Sequence, residues 1–247
     1  MSPSDVLLET SGVVVRFGGN VAVNDVTLDV RAGTVTGLIG PNGAGKTTLY
    51  NCITGLQRPD AGRIVFDGQD LTRLSPGRRA RLGMARTFQR LELFLSLSVR
   101  DNVRVAGDIV KARHRRSFDV DAETDRMLEL TGLSAIADEE VAAIPTGRAR
   151  VVEVARALMT QPRLLLLDEP ASGQTERETE EFATLLRGLA DTGLAVCLVE
   201  HDLPLVMQLC QRIHVLDRGR LIASGTPAEV QASPEVVEAY IGQEVVA

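Results

Sequence analysis

One nine-residue stretch, GPNGAGKTT at Gly40–Thr48, constrains the fold of this chain more than any other feature. It fits the pattern G-x-x-x-x-G-K-[ST], which is typical of a loop between a buried strand and a helix. The context agrees, because the apolar segment TVTGLIG precedes the loop and a helix is predicted from about Lys46 to Thr54, ended by Gly55. The sequence therefore predicts a strand–loop–helix unit that binds phosphate groups.

Every residue of this loop is a candidate for nucleotide binding. Glycines let successive backbone N–H groups curve around phosphate oxygens, and the N-terminus of the helix adds the positive end of its dipole. Lys46 would reach the β- and γ-phosphates as a point charge, and the Thr47 hydroxyl would ligate Mg²⁺. The alternative is a glycine-rich turn that binds nothing. The candidate residues are Gly40, Pro41, Asn42, Gly43, Ala44, Gly45, Lys46, Thr47 and Thr48.

Two adjacent carboxylates, Asp168 and Glu169, end the apolar segment RLLLLDEP. A carboxylate at the end of a buried parallel strand lies at the sheet edge where ligands bind. Asp168 is predicted to act on the metal side, usually through water, and Glu169 to act as general base for an attacking water. An apolar segment ending in Asp-Glu is more often a strand that meets a polar loop, but its pairing with the Gly40 loop favours the functional interpretation.

Two further polar residues follow predicted strands. His201, in LVEHD, should reach the same edge of the sheet as Asp168, where it could contact the γ-phosphate. Gln89, in RTFQR, follows a short strand, and its amide could contact the metal or the attacking water. A lone histidine is usually structural or solvated, and a glutamine after a strand is weak support for a site by itself.

The rest of the chain alternates strand and helix patterns, which predicts an α/β fold. LLLLD and AVCLVE are apolar strands separated by a helix around Glu176–Leu189, and this order implies a parallel sheet with crossover helices. VTLDV has the alternation of a half-exposed antiparallel strand, and GRIVFDG is a strand bounded by glycine turns. RIHVLDRGRLIASG predicts a hairpin with Arg218 and Gly219 at its turn.

Between residues 98 and 158 the pattern is mostly helical. In the segment DAETDRMLELTG, Asp121 is predicted to cap a helix and Gly132 to stop it. Because strand patterns resume after this segment, we expect a helical subdomain, about residues 92–158, inserted into a single domain of residues 5–242.

Composition limits the classes of partner. Of the 247 residues, 44% are apolar and 24% charged, as in globular proteins, and the net charge of -6 argues against binding to nucleic acid. The basic run KARHRR at 111–116 is interpreted as a solvated loop rather than a phosphate-binding patch. Cys52, Cys197 and Cys210 are predicted to be small core residues in a reducing compartment. No signal peptide or membrane-spanning segment is predicted, so any link to a membrane would pass through a partner.

The order of these motifs, GPNGAGKTT, RTFQ, ARAL, LLLLDEP and VEHD, resembles the ATP-binding subunit of an ABC transporter. More narrowly, RFGGNVAVNDVTLDV, GMARTFQ, VEHDLPLVM and the tail GTPAEV…SPEVVEAYIG resemble ATPases of branched-chain amino-acid and related amide uptake systems. ATPases of lipopolysaccharide export are similar in size and tail. The resemblance implies a P-loop NTPase core, RecA-like, with an antiparallel β-subdomain and an inserted α-helical subdomain. It also implies that ATP hydrolysis with Mg²⁺ drives import of branched-chain amino acids or related small solutes.

The resemblance assigns further roles and partners. Phe17 corresponds to the aromatic residue that stacks on adenine, although a core Phe beside a Gly-Gly turn is a fair alternative. Gln89 corresponds to the residue that links the nucleotide site to membrane subunits, and His201 to the switch residue that senses the γ-phosphate. The implied partners are integral-membrane permease subunits, a second ATPase and, indirectly, a periplasmic or extracellular solute-binding protein. The implied location is the cytoplasmic face of the cell membrane.

The family's signature motif reads Leu-Ser-Gly-Gly-Gln or close to it, whereas this chain has IPTGR at residues 144–148. Gly147 keeps the second glycine, but Pro145 removes the serine hydroxyl and a backbone donor, and only Thr146 or Arg148 could substitute. In the loop after Glu169, where the family usually has Asp or Asn, this chain offers Gln174 and Thr175.

In the family's head-to-tail pairs, each signature loop contacts the ATP bound to the other chain. Both departures therefore affect motifs that act across the pair. The resemblance favours a heterodimer with a different ATPase, and a homodimer stays open. The alternatives in other classes are an exporter ATPase, a non-transport ABC ATPase and a nucleotide-binding module that no longer hydrolyses ATP.

Overall fold

The computed structural model of the chain describes residues 6–113 and 118–244. Residue 5, the predicted start of the domain, and residues 114–116 of the basic run lie outside the described residues. The described strands are β1 (Val6–Phe17), β2 (Asn20–Arg31), β3 (Val35–Ile39), β4 (Ala61–Phe66), β5 (Gln69–Asp70), β6 (Met84–Arg86), β7 (Leu164–Asp168), β8 (Ala195–Val199), β9 (Arg212–Asp217) and β10 (Arg220–Gly225).

Helices connect most of these strands. The described helices are α1 (Lys46–Thr54), α2 (Pro76–Arg81), α3 (Val99–Arg113), α4 (Val120–Leu130), α5 (Thr146–Leu158), α6 (Glu176–Asp191), α7 (Leu203–Leu209), α8 (Pro227–Gln231) and α9 (Pro234–Glu244). Among the described helices, none is long and apolar enough to cross a membrane.

The predicted parallel sheet is confirmed. It has six strands in the order β10-β9-β3-β8-β7-β6, and every neighbouring pair is parallel except the β9–β10 hairpin. The apolar segments predicted as strands form β3, β7 and β8, whose residues are all buried, as expected where both faces of a sheet are covered. Because these strands run in the same direction, the loops that follow β3, β6, β7 and β8 meet at one edge.

The second sheet is antiparallel and has the order β2-β1-β4-β5. Its long strands alternate buried and exposed residues along much of their length, as a sheet with one covered face requires. One apolar cluster fills the space between the two sheets, and a second fills the other side of the parallel sheet, against the helices. The α1 helix, which follows the Gly40 loop, is therefore held between two layers.

Helices α3, α4 and α5 lie between β6 and β7 in chain order, which confirms that this segment is mainly helical. One prediction in it is wrong: Asp119, not Asp121, caps α4. The Asp119 carboxylate accepts hydrogen bonds from the backbone N–H groups of Asp121 and Ala122, both 3.1 Å, while Asp121 lies in the first turn. Asp residues are favoured both at the cap and in the first turn, so the pattern alone did not separate the two positions. Gly132 follows the helix with φ +68°, as a stop residue does.

A buried arginine, Arg79, holds the C-terminus of α1. Its Nη1 donates to the carbonyl oxygens of Cys52 (2.5 Å) and Ile53 (2.7 Å), and its Nε donates to that of Leu74 (3.0 Å). The last carbonyls of a helix have no partner within the helix. The Gly55 N–H also donates to the Cys52 carbonyl (3.2 Å), so Arg79 is the donor that satisfies the Ile53 carbonyl. Only 2% of Arg79 is exposed, and burial lowers the pKa of its guanidinium.

The three cysteines are buried and free, as predicted. Burial raises the pKa of the Cys52 thiol to about 11 and that of Cys197 to about 12. At neutral pH both are therefore uncharged thiols that pack as small apolar groups.

Replacing Arg79 with Met should lower the free energy of unfolding by about 2–4 kcal/mol, because the carbonyls of Ile53 and Leu74 lose their donor, at about 1–3 kcal/mol each. Urea denaturation followed by circular dichroism measures the change. Arg81→Met in the same helix is the matched control, since Arg81 is exposed and should lose less than about 0.5 kcal/mol. Equal losses in the two variants would contradict the role of Arg79.

Candidate functional site

The shape of the loop between β3 and α1 depends on glycines that approach other backbone segments. Gly40 has φ +145°, and a Cβ at this position would lie 2.0 Å from the carbonyl oxygen of Leu216. Gly45 has φ +101°, and its Cβ would lie 2.3 Å from the carbonyl oxygen of Ala22. Both the backbone conformation and the space therefore require glycine. The loop is pressed against β9 on one side and β2 on the other.

Lys46 opens α1 and turns its side chain back into this loop. Its Nζ donates to the carbonyl oxygens of Gly40 (2.6 Å) and Pro41 (3.0 Å), and the residue is 6% exposed. Burial lowers the pKa of this ammonium group, while the carboxylates of Glu169 and Asp168 raise it. The loop thus holds a cation at its centre.

A cleft of about 400 Å³ opens above the loop. Thr47 is exposed to it, and Glu169 and His201 close its far side. The loops after β3, β7 and β8 therefore contribute to one cavity, as predicted from strand direction. Its lining consists of Asn20, Val21, Ala22, Asn42, Gly43, Ala44, Gly45, Lys46, Thr47, Thr48, Glu169, His201, Arg218 and Gly219.

Glu169 lies at the centre of a polar triad. The Gln89 Nε2 donates to one of its carboxylate oxygens (2.7 Å), and the His201 Nε2 lies 2.8 Å from the other. Glu169 has φ +50°. This left-handed conformation is energetically unfavourable for any residue other than glycine, and it is found mainly at functional sites. Its backbone N–H donates to the Val199 carbonyl (2.9 Å), which holds the strained residue on β8. The three residues that the sequence analysis singled out separately are thus in contact.

Asp168 ends β7 beside this triad and is 4% exposed. Its Oδ2 accepts a hydrogen bond from Nη2 of Arg86, the last residue of β6, at 2.7 Å. Arg86 is the first residue of the RTFQ motif, but it was not predicted as a site residue, because a single arginine carries no pattern of its own.

Glu200 is a second buried carboxylate that sequence reasoning missed. It accepts hydrogen bonds from the backbone N–H groups of Ala171 (2.7 Å) and His201 (3.1 Å). Burial raises its pKa, while these backbone donors lower it. Glu200 thus joins the loop after Glu169 to the loop that carries His201, and it fixes their spacing.

Arg150 anchors the Gln89 loop to α5. Its guanidinium donates to the carbonyl oxygens of Phe88 (3.0 Å) and Gln89, and to the Glu153 carboxylate (3.0 Å). Burial raises the pKa of Glu153, while Arg150 lowers it. The helix that begins at the IPTGR segment is therefore linked directly to a residue of the Glu169 triad.

The IPTGR segment forms the start of α5 and does not line the cleft. Pro145 is the N-cap, with the φ of -59° that proline favours, and its carbonyl accepts the first helical hydrogen bond from Ala149 (3.0 Å). Thr146 is exposed, whereas Gly147 is buried against Glu178, whose carboxylate oxygen would lie 2.5 Å from a Cβ.

Arg148 is engaged within its own chain, since its Nη2 lies 3.5 Å from the Glu181 carboxylate. Thr175, the other departure, caps α6 by accepting a hydrogen bond from the backbone N–H of Glu178 (3.3 Å), whose carboxylate in turn accepts one from the backbone N–H of Thr175 (2.9 Å). Gln174 donates to the Pro170 carbonyl (3.2 Å). These three side chains thus have local structural partners.

Phe17 does not line the cleft. It ends β1, is 53% exposed and pairs with Asn20, which does line the cleft. Arg218, at the turn of the β9–β10 hairpin, also lines the cleft and has φ +45°. This turn was predicted from the sequence, whereas Asn20 and Arg218 were not among the predicted site residues.

Comparison with known proteins connects this geometry to a family. Residues 23–172 match the family model described as ABC transporter, and residues 220–246 match the model described as branched-chain amino acid ATP-binding cassette transporter. The high-affinity branched-chain amino acid transport ATP-binding protein BraF of Pseudomonas aeruginosa is 38% identical over 96% of this chain and 98% of its own.

The corresponding protein LivG of Salmonella typhimurium is 39% identical over 97% of this chain and 99% of its own. The crystal structure of an ATP-binding cassette of an ABC transporter in its ADP conformation superposes with a TM-score of 0.86. It is 30% identical and covers 96% of this chain and 99% of its own. With a family model over residues 23–172 and these relatives over nearly its full length, the chain belongs to the ABC transporter family as an ATP-binding subunit that hydrolyses ATP.

Proposed function

We propose that this chain hydrolyses ATP to drive the uptake of branched-chain amino acids, or of related small solutes, through membrane permease subunits. The match of residues 220–246 to a branched-chain amino-acid model carries this proposal, because the cassette at residues 23–172 is common to importers and exporters. The relatives named for branched-chain amino-acid transport support the same solute class. The chain would act at the cytoplasmic face of the membrane, and a solute-binding protein would be an indirect partner.

The proposed division of labour follows the contacts in the cleft. The Gly40–Thr48 loop would hold the phosphates of ATP, with Lys46 exchanging its two loop carbonyls for β- and γ-phosphate oxygens. Glu169 would accept a proton from the attacking water, since Gln89 and His201 hold both oxygens of its carboxylate in place. His201 would contact the γ-phosphate, and Phe17 would stack on adenine.

The residues around the loop fit Mg²⁺. Thr47, Gln89 and Asp168 offer a hydroxyl, an amide oxygen and a carboxylate, and oxygen ligands of this kind are those that Mg²⁺ prefers. Among residues 6–113 and 118–244, no group of three His, Cys, Asp or Glu side chains forms a cage, which suits an ion bound mainly through nucleotide phosphates. When bound, Mg²⁺ supplies neutralisation of the charge on the β- and γ-phosphates.

An apolar groove of about 410 Å³ offers a docking surface for the permease. It lies between β6, α3 and α5, next to the Gln89 loop, and the rings of Phe88 and Phe94 are 41% and 51% exposed there. Exposed apolar patches of this kind mark protein interfaces. A permease segment in this groove would touch the same loop that positions Glu169.

The contacts of the IPTGR segment favour a heterodimer. Arg148 is paired with Glu181, and Gly147 is covered by Glu178, so only Thr146 could replace the missing serine without losing a contact of its own chain. In a homodimer both ATP molecules would meet this altered loop. In a heterodimer, the ATP bound at Lys46 would meet the other ATPase's signature motif.

Replacing Glu169 with Gln should preserve ATP binding and lower kcat by about 10²–10⁴-fold, because a carboxamide can hold water but cannot accept its proton. The measurements are phosphate release and calorimetric ATP affinity in the purified complex. Glu200→Gln is the matched control for a carboxylate next to the site but outside the reaction, and its kcat should fall less than that of Glu169→Gln. Near-normal hydrolysis by Glu169→Gln would contradict the role of Glu169 as general base.

Replacing Lys46 with Ala should weaken binding itself. Removal of the buried ammonium takes away the charge that faces the β- and γ-phosphates, and we expect ATP affinity to fall by about 10-fold or more, at 1.5–3 kcal/mol for a hydrogen bond to a charged group. Lys111→Ala, an exposed lysine on α3, is the control and should bind ATP normally. Unchanged affinity in Lys46→Ala would exclude this loop as the phosphate site.

The transport proposal and the heterodimer are tested together in proteoliposomes containing the subunits co-purified from the native membrane. ATP-dependent accumulation of leucine, isoleucine or valine is expected, together with a second, different ATPase subunit. Release of solute or lipid instead would indicate an exporter.

The heterodimer has its own test, which is the ATPase activity of this chain by itself. Strong activity from this chain alone, dimerising on ATP, would contradict the heterodimer, and Pro145→Ser should then raise the rate little.

A further inference from the structure

One buried arginine, Arg86, connects regions that the proposed function uses separately. It ends β6, three residues before Gln89. Its Nη2 donates to Asp168 Oδ2 (2.7 Å), while its Nη1 donates to the side-chain oxygens of Asn51 (2.7 Å) and Thr54 (3.3 Å) on α1. One planar group thus joins the strand that carries the metal-side carboxylate to the helix that begins at the phosphate loop.

The guanidinium also lies over two aromatic rings. Its central carbon lies 5.5 Å from the ring centre of Tyr50 and 5.0 Å from that of Phe88. The side chains of Arg86 and Asp168 are each 6% exposed, so solvent screens this ion pair weakly. Because a forked group that contacts two rings and donates to three side chains has few alternative positions, movement of Arg86 requires movement of its neighbours.

The pair leaves part of the carboxylate available. Arg86 holds Oδ2 of Asp168, and among the described residues none donates a hydrogen bond to Oδ1. Such an arrangement fixes the orientation of the carboxylate and points one oxygen away from the arginine. Substitution of Arg86 would leave the carboxylate buried without its cation and free to turn.

The contact between Arg86 and Phe88 extends to the protein surface. Arg86 and Phe88 both line the apolar groove next to the Gln89 loop, and the Phe88 ring is 41% exposed there. A permease segment bound in this groove would therefore contact the Phe88 ring, which packs on the Arg86 guanidinium. No other described arginine pairs with Asp168 within 4.0 Å.

We propose that Arg86 is a positioning residue that couples the groove to the nucleotide site by holding Asp168. Nucleotide binding at the phosphate loop moves the Arg86–Asp168 pair and with it the segment from Thr87 to Leu95, and occupation of the groove acts in the reverse direction. This coupling rests on the proposed roles of Asp168 and of the groove.

The test measures hydrogen exchange of the backbone amides of residues 87–95, with and without a non-hydrolysable ATP analogue and Mg²⁺, in the purified complex. Native protein should exchange more slowly in this segment when nucleotide is bound. Arg86→Met, which keeps the length of the stem between the rings, should bind the analogue within about five-fold of native yet lose most of this change. Its kcat should fall on the order of 10²-fold with little change in KM, as expected for misplaced rather than missing groups.

Two further variants separate positioning from packing. Arg86→Lys keeps the charge but cannot donate to Asp168 and Asn51 from one planar group, so it should also lose the exchange response while retaining the melting temperature. Arg163→Lys is the control, because Arg163 also combines an ion pair, with Asp67, and a ring contact, with Phe66, but lies outside the cleft and the groove.

A native exchange response in both Arg86 variants would overturn the coupling, and so would the absence of any response in native protein that binds the analogue. Failure of the native complex to bind nucleotide would instead refute the proposed function, and the coupling with it. If Arg86→Met does not fold, Arg86→Lys decides the question.

Discussion

The fit of the Gly40–Thr48 loop between two sheets is the constraint on which the rest of this structure depends. Gly40 meets the carbonyl of Leu216 on β9, and Gly45 meets that of Ala22 on β2, at distances that exclude a side chain. The hairpin turn completes the fit, since the Gly219 N–H donates to the Ala44 carbonyl (2.9 Å) and the Asn24 N–H donates to the Gly219 carbonyl (2.7 Å). Backbone contacts therefore fix the conformation of the loop.

Each charged side chain around this loop is held by hydrogen bonds to neighbouring groups. Glu169 is held by Gln89 and His201, Asp168 by Arg86, and Lys46 by two carbonyls of its own loop. Buried charges are tolerated when they are paired and hydrogen-bonded in this way. Each charged group near the Gly40–Thr48 loop thus has a defined partner within the chain that fixes its position.

Much of this site follows from sequence because it depends on strand direction. The apolar segments that become β3, β7 and β8 are short and fully buried, and their ends must meet at one edge, which brings Lys46, Glu169 and His201 together. Arg79, Arg86 and Glu200 escaped prediction for a common reason. Each is a single charged residue with at least one partner that is distant along the chain, and no local period marks such a contact. The Asp119 cap was missed because two acidic residues at adjacent turn positions satisfy the same helix-start pattern.

The most direct test of this account is a structure of the complex with a non-hydrolysable ATP analogue and Mg²⁺, determined by cryo-electron microscopy. The account predicts the phosphates against Gly40–Thr48, with Lys46 turned from its loop carbonyls to the phosphates and Glu169 facing the γ-phosphate. It also predicts that the signature loop across from this nucleotide belongs to a different ATPase. Nucleotide bound elsewhere, or a second copy's Pro145 across from the γ-phosphate, would contradict it.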